Sequence, residues 1–72
     1  MASPRKEDAS GVIDGANRDF AVSRDIHTGR AVVPFVNGQA LPGRATVTGT
    51  RTFRLENPPV AGDTVALYYL AI

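Results

Sequence analysis

Only a few side chains in this sequence have the types and spacing from which chemistry is built. His27 follows Asp25 by two residues, a pairing that could orient a general base. No second histidine and no cysteine accompanies it, so neither a zinc site nor a thiol–imidazole pair can be assembled around it, and it reads as a surface histidine. Asp14, Asn17 and Asp19 are rich in oxygen, but a calcium loop of the EF-hand type wants ligands at alternate positions, and Arg18 intrudes here. A turn closed by an Asx hydrogen bond explains them better. Glu56 and Asp63 could form a hydrolytic acid pair, yet each is flanked by turn residues and neither has the apolar surroundings that raise a carboxyl pKa. Ser10 and Ser23 lack a histidine context, and no glycine pattern leads from a strand into a helix to hold phosphate. Arg30, Arg44, Arg51 and Arg54 could together grip an anion, but they read as solvated residues on an outer sheet face. The expectation is a chain with no catalytic, cofactor-binding or metal-ligating residues, hence not an enzyme.

Composition limits what could position such groups. With 72 residues the chain holds one domain, and a domain of this size buries only about 60% of the surface its unfolded form exposes. Cysteine is absent, so disulfides cannot supply stability, and association with other subunits is the remaining source. Hydrophobic residues at 43% and charged residues at 21% predict a folded chain rather than a disordered one. A net charge of +1 lacks the clustered basic excess that nucleic acid selects, and there is no apolar run of membrane-span or signal-peptide type. The expected partners therefore exclude nucleic acid and membrane, and the product is expected to be made in the cytoplasm.

Residues 1–10, MASPRKEDAS, combine Pro4 with four successive charges from Arg5 to Asp8 and are expected to form a flexible N-terminal arm, either solvated or laid along a neighbouring subunit. Residues 11–72 then read as short strands separated by turn formers, with no segment keeping a helical period. The predicted fold is all-β, a small antiparallel β-sandwich (Ig-like) or a partly open barrel of about six to seven short strands. Asn37-Gly38 between Val36 and Gln39 signals a type I′ hairpin, which needs positive φ at both central residues. Pro34 has no N–H to donate, so its strand is expected to be an edge or to bulge there. Gly49 marks a second hairpin, and Asn57-Pro58-Pro59 stops the strand that carries Phe53 and Leu55.

The last segment, DTVALYYLAI, differs from the rest. Val65, Leu67, Tyr69 and Ala71 fall on one face, and Ala66, Tyr68, Leu70 and Ile72 on the other, so both faces are apolar. Either this strand is central in a sandwich or one face meets another molecule. At roughly 1.5–3 kcal/mol per large side chain, leaving Tyr68, Leu70 and Ile72 in water would forgo several kcal/mol of burial. An interface formed by Tyr68, Leu70 and Ile72, with Pro34, Arg5 and Lys6 at a protected edge and on the arm, is the expectation.

The motifs IDGANRDF, VPFVNGQAL and TFRLENPPVAGDTVALYY, spread over residues 12–72, resemble a small β module of virion structural proteins in tailed bacteriophages. The match lies at Asp14, Gly15, Asn17 and Phe20, at Val36, Asn37, Gly38 and Leu41, at Phe53, Pro58, Pro59, Gly62 and Asp63, and at Val65 and Tyr68. The resemblance implies a β-sandwich and a non-enzymatic subunit, repeated by symmetry, that decorates or cements the capsid, neck or tail of a virion. Its partners would be other virion proteins and further copies of itself, as a homo-oligomer. A carbohydrate-binding adhesion module is the alternative, although with no tryptophan, and with the phenylalanines assigned to the core, it has a poor aromatic platform.

Overall fold

A computed structural model describes residues 3–27 and 32–72. Seven short strands are found among the described residues: β1 (Ser3–Asp8), β2 (Asp19–Ala21), β3 (Val33–Val36), β4 (Gln39–Ala40), β5 (Ala45–Val47), β6 (Thr52–Leu55) and β7 (Val65–Ala71). They form two antiparallel sheets, ordered β1-β7-β3-β4 and β2-β6-β5, packed face to face without closing into a barrel. The all-β sandwich is therefore as expected.

Alternation sets the core. Val65, Leu67, Tyr69 and Ala71 point inward from β7 and are buried. They meet Phe20, Phe53 and Leu55 from the second sheet, joined by Val22, Ile26 and Val32. The Phe20 and Phe53 rings, on directly paired positions, stack with centroids 6.0 Å apart. A chain this small has room for one such cluster, and both sheets commit their inner faces to it.

Two sequence expectations need correction. The segment expected to be a flexible arm is β1, paired with β7 along its whole length from Ser3↔Ala71 to Asp8↔Ala66. β7 is central, and a central strand needs hydrogen-bonding partners on both edges. The charged N-terminal segment supplies one of them, since only alternate side chains need face the core. Pro34, expected at an edge or a bulge, instead lies in β3 between β7 and β4 and is buried. The backbone explains how it is tolerated. Asn37 N–H bonds to Thr64 O, and Leu41 N–H bonds to Pro34 O. Val33, Phe35 and Asn37 therefore direct their polar groups to β7, whereas Pro34 directs its own to the β4 side. β4 is only two residues long, so the missing donor falls where the ladder is already ending.

The turns follow their chemistry. Asn37 and Gly38 have φ of 54° and 79°, as a type I′ turn requires. The Asp14 carboxylate accepts hydrogen bonds from the backbone N–H groups of Ala16 and Asn17, both at 2.9 Å, which is the expected Asx turn. Those donors hold the Asp14 pKa below its usual range. The sheets are laced together at two corners. Ser10 bridges to Ala21, and residues 25–27 bond to the far end of β7 through Ile26↔Ala71.

Candidate interaction face

The two solvent-facing sides of the sandwich differ in kind. On the β2-β6-β5 sheet the outward positions include Asp19, Arg54 and Thr46 in one cross-strand row. Arg54 Nε donates to Asp19 at 2.7 Å, an exposed ion pair on a wet face. The pairing lowers the Asp19 pKa and raises that of Arg54.

The outer side of the β1-β7-β3-β4 sheet is built from other material. Pairing places Lys6, Tyr68 and Val33 in one row and Asp8, Ala66 and Phe35 in the next, with Ala40 beyond Phe35. Directly paired residues of an antiparallel ladder share a face, so these two rows, with Leu70 and Pro4, form one surface. Tyr68 is 44% exposed and Ile72, which continues the alternation, is 64% exposed. Val33, Phe35, Ala66 and Leu70 are half-buried. The Lys6 ammonium sits 4.1 Å from the centre of the Phe35 ring. It reaches that ring across β7, where the row carries only the small Ala66, and the contact is a cation–π interaction.

Among the residues expected at the interface, Tyr68, Leu70, Ile72 and Lys6 are thus brought to one side. Pro34 and Arg5 belong to the opposite face of the same sheet. Pro34 is in register with Leu67 in the core, and Arg5 with Tyr69. Val33 and Phe35 are members that sequence reasoning missed, because a large aromatic residue in a small domain reads as core, whereas Phe35 pairs with Ala66 on the outer face. The alternation in VVPFV held the signal: once Pro34 points inward, Val33 and Phe35 must point out.

Below Arg5 lies the most organised polar group of the molecule. Glu7 points inward from β1, its side chain 14% exposed. It accepts hydrogen bonds from the hydroxyl of the buried Tyr69, from Ser23 N–H and Ser23 Oγ at 3.1 Å, and from Arg5 Nε at 3.0 Å. Burial pushes its carboxyl pKa upward, but the donors Tyr69, Arg5 and Ser23 outweigh burial and hold it at about 2. Burial and then the neighbouring Glu7 carboxylate raise the Tyr69 pKa. The group fastens β1 to the body, and every donor faces the carboxylate.

The remaining candidates for chemistry are tied up elsewhere. Arg44 pairs with Glu56 at 2.7 Å and Arg51 with Asp25 at 2.6 Å. Asp63 accepts from Asn37 Nδ2 at 2.9 Å and from Val60 N–H at 3.0 Å, which lowers its pKa. Arg44, Arg51 and Arg54 therefore each serve a carboxylate of this chain, and Arg30 lies outside the described residues. Val36, Leu41, Leu55, Arg44, Glu56 and Asn57 line a cleft of about 300 Å³ at one end of the sandwich. Its two charged residues are paired to each other.

No family model, curated protein or solved structure matches this chain. The surface itself is what carries the functional reading.

Proposed function

We propose that the protein is a non-enzymatic structural subunit of a tailed-phage particle, decorating or cementing the capsid, neck or tail through the outer face of its β1-β7-β3-β4 sheet. The observation that carries this reading is the contrast between the two outer faces. One is closed by cross-strand ion pairing. The other presents Tyr68, Leu70, Ile72, Val33 and Phe35 around a single lysine–aromatic contact. Apolar surface gathered on one side of so small a domain marks a place where another protein sits. The likeness of the turn and core motifs to tailed-phage β modules supplies the setting. Mass spectrometry and a reconstruction of purified particles test the reading. It predicts a symmetric set of copies with Tyr68 and Leu70 buried against a neighbour, and absence of the chain from the particles would refute it.

A second reading, glycan adhesion, gains one observation, since Phe35 lies on the surface beside Tyr68 rather than in the core. It ranks below the first because the Lys6 ammonium already occupies the Phe35 ring. A glycan array separates the two.

A further inference from the structure

We infer that the partner on this outer face is a second copy of the same chain, packed sheet to sheet about a two-fold axis that crosses the strands at the level of Glu7, Leu67 and Pro34. The inference rests on the structural reading above and specifies the occupant of that face. It follows from the register. Glu7, Leu67 and Pro34 form one cross-strand row whose side chains point into the core. The outward rows on either side are Lys6, Tyr68 and Val33, and Asp8, Ala66 and Phe35. A two-fold rotation about the middle row exchanges the two outer rows.

Each exchange is complementary. In the dimer Lys6 exchanges its contact with the Phe35 ring of its own chain, which lies across Ala66, for Asp8 of the partner subunit, a cation against an anion, and the symmetry makes that pair twice. Tyr68 faces Ala66 of the partner subunit, so the largest side chain of β7's outer face meets the smallest. Val33 faces Phe35 of the partner subunit, again smaller against larger and apolar on both sides. An isologous interface demands this self-complementarity, in which residue i contacts j and j contacts i. Aligned sheets cross at about 30°, and positions close to the axis keep their opposition through such a rotation. The polar outer face of the other sheet has no comparable pattern. There Arg54 and Asp19 share one row and satisfy each other within the chain.

The contact is small. Strands about 4.8 Å apart, carrying two rows each, offer well under the about 800 Å² per partner of a standard stable interface. The dimer is accordingly weak in dilute solution and becomes effective where an array holds copies close together.

Sedimentation equilibrium on the full chain, from micromolar to millimolar, tests the inference with charge-reversed variants. Lys6→Glu places two acids opposite each other, and Asp8→Lys places two cations opposite each other, so each variant alone is expected to lose at least tenfold in dimer affinity. Mixed in equal amounts, the two restore opposite charges at both sites and are expected to form a heterodimer within a few-fold of the original affinity. Circular dichroism establishes that each variant is folded. Should Lys6→Glu fail to fold, Tyr68→Ala serves in its place with an expected tenfold loss, against an unchanged Thr46→Ala control on the opposite outer face. A chain monomeric to millimolar concentration, or a mixture no better than its components, overturns the dimer. If that chain is nonetheless found in particles with Tyr68 covered by another protein, the structural reading survives and only the self-association fails.

Discussion

At the scale of single residues, Glu7 carries the sharpest consequence. Its folded-state pKa of about 2 lies below its ordinary value of 4.5, so folding favours the ionised form. The stabilisation is complete above the ordinary value and drains away as pH falls from about 4.5 toward about 2; at 1.36 kcal/mol per unit it amounts to roughly 3 kcal/mol at most. Glu7 alone is expected to contribute about 2 kcal/mol to the difference between urea melts at pH 7 and pH 3, and Glu7→Gln should remove that share, leaving the part due to Asp14, Asp19 and Asp63, whose pKa values are also lowered. Tyr69→Phe deletes the buried donor and is expected to cost about 1–3 kcal/mol, while carbon-detected NMR titration should show the Glu7 carboxyl rising toward its ordinary value. None of this was legible in RKED, because the alternation that sends Glu7 inward exists only once β1 has found β7, some sixty residues away. Gly11 is a second such position. A methyl added there would collide with the Phe20 ring and stand 3.0 Å from Asp19 O, so Gly11→Ala is expected to lower stability by about 1–3 kcal/mol, read from the same melts.

Among the elements, those specified by local chemistry were the ones visible in advance. The Asn37-Gly38 hairpin announces itself because few dipeptides tolerate two successive positive φ values. At Gly38 nothing lies within 4 Å of an added Cβ, so Gly38→Ala should cost only the backbone term, about 1–2 kcal/mol, without disturbing the core. β1 and the placement of Pro34 depended instead on long-range pairing. Ser-Pro-Arg-Lys-Glu-Asp has almost no strand propensity of its own, and β7 imposes strand geometry on it. The strand also guards an edge. Ala9 N–H bonds to Val65 O, and by alternation the backbone of Pro4, Lys6 and Asp8 points away from β7 along the open side. There Pro4 offers no N–H and the side chains of Lys6 and Asp8 discourage added strands. Deleting residues 3–8 strips that guard and bares the apolar β7 edge, and light scattering is expected to show aggregation of the shortened chain where the full chain stays clear.

For the whole molecule, the fold class was legible in the sequence. Turn formers spaced along the sequence and the lack of any helical period were enough for an all-β fold. The doubly apolar DTVALYYLAI was enough to say that β7 must be covered on two sides. The structure resolves that demand unequally. The inner side is closed by the core, while the outer side keeps Tyr68 and Ile72 in solvent. What the sequence hid was the breadth of that outer face, since Val33 and Phe35 come to lie beside Lys6 and Tyr68 only once β1 and β3 have both paired with β7. The same register makes the face complementary to its own copy. Intermolecular NOEs in a millimolar mixture of isotope-labelled and unlabelled chains test this most directly. Filtered cross-peaks are expected between the Tyr68 ring and the Ala66 methyl of the other molecule, accompanied by Val33 to Phe35. A spectrum with no intermolecular peaks, or with peaks confined to Thr46 and Arg54 on the opposite side, would contradict it.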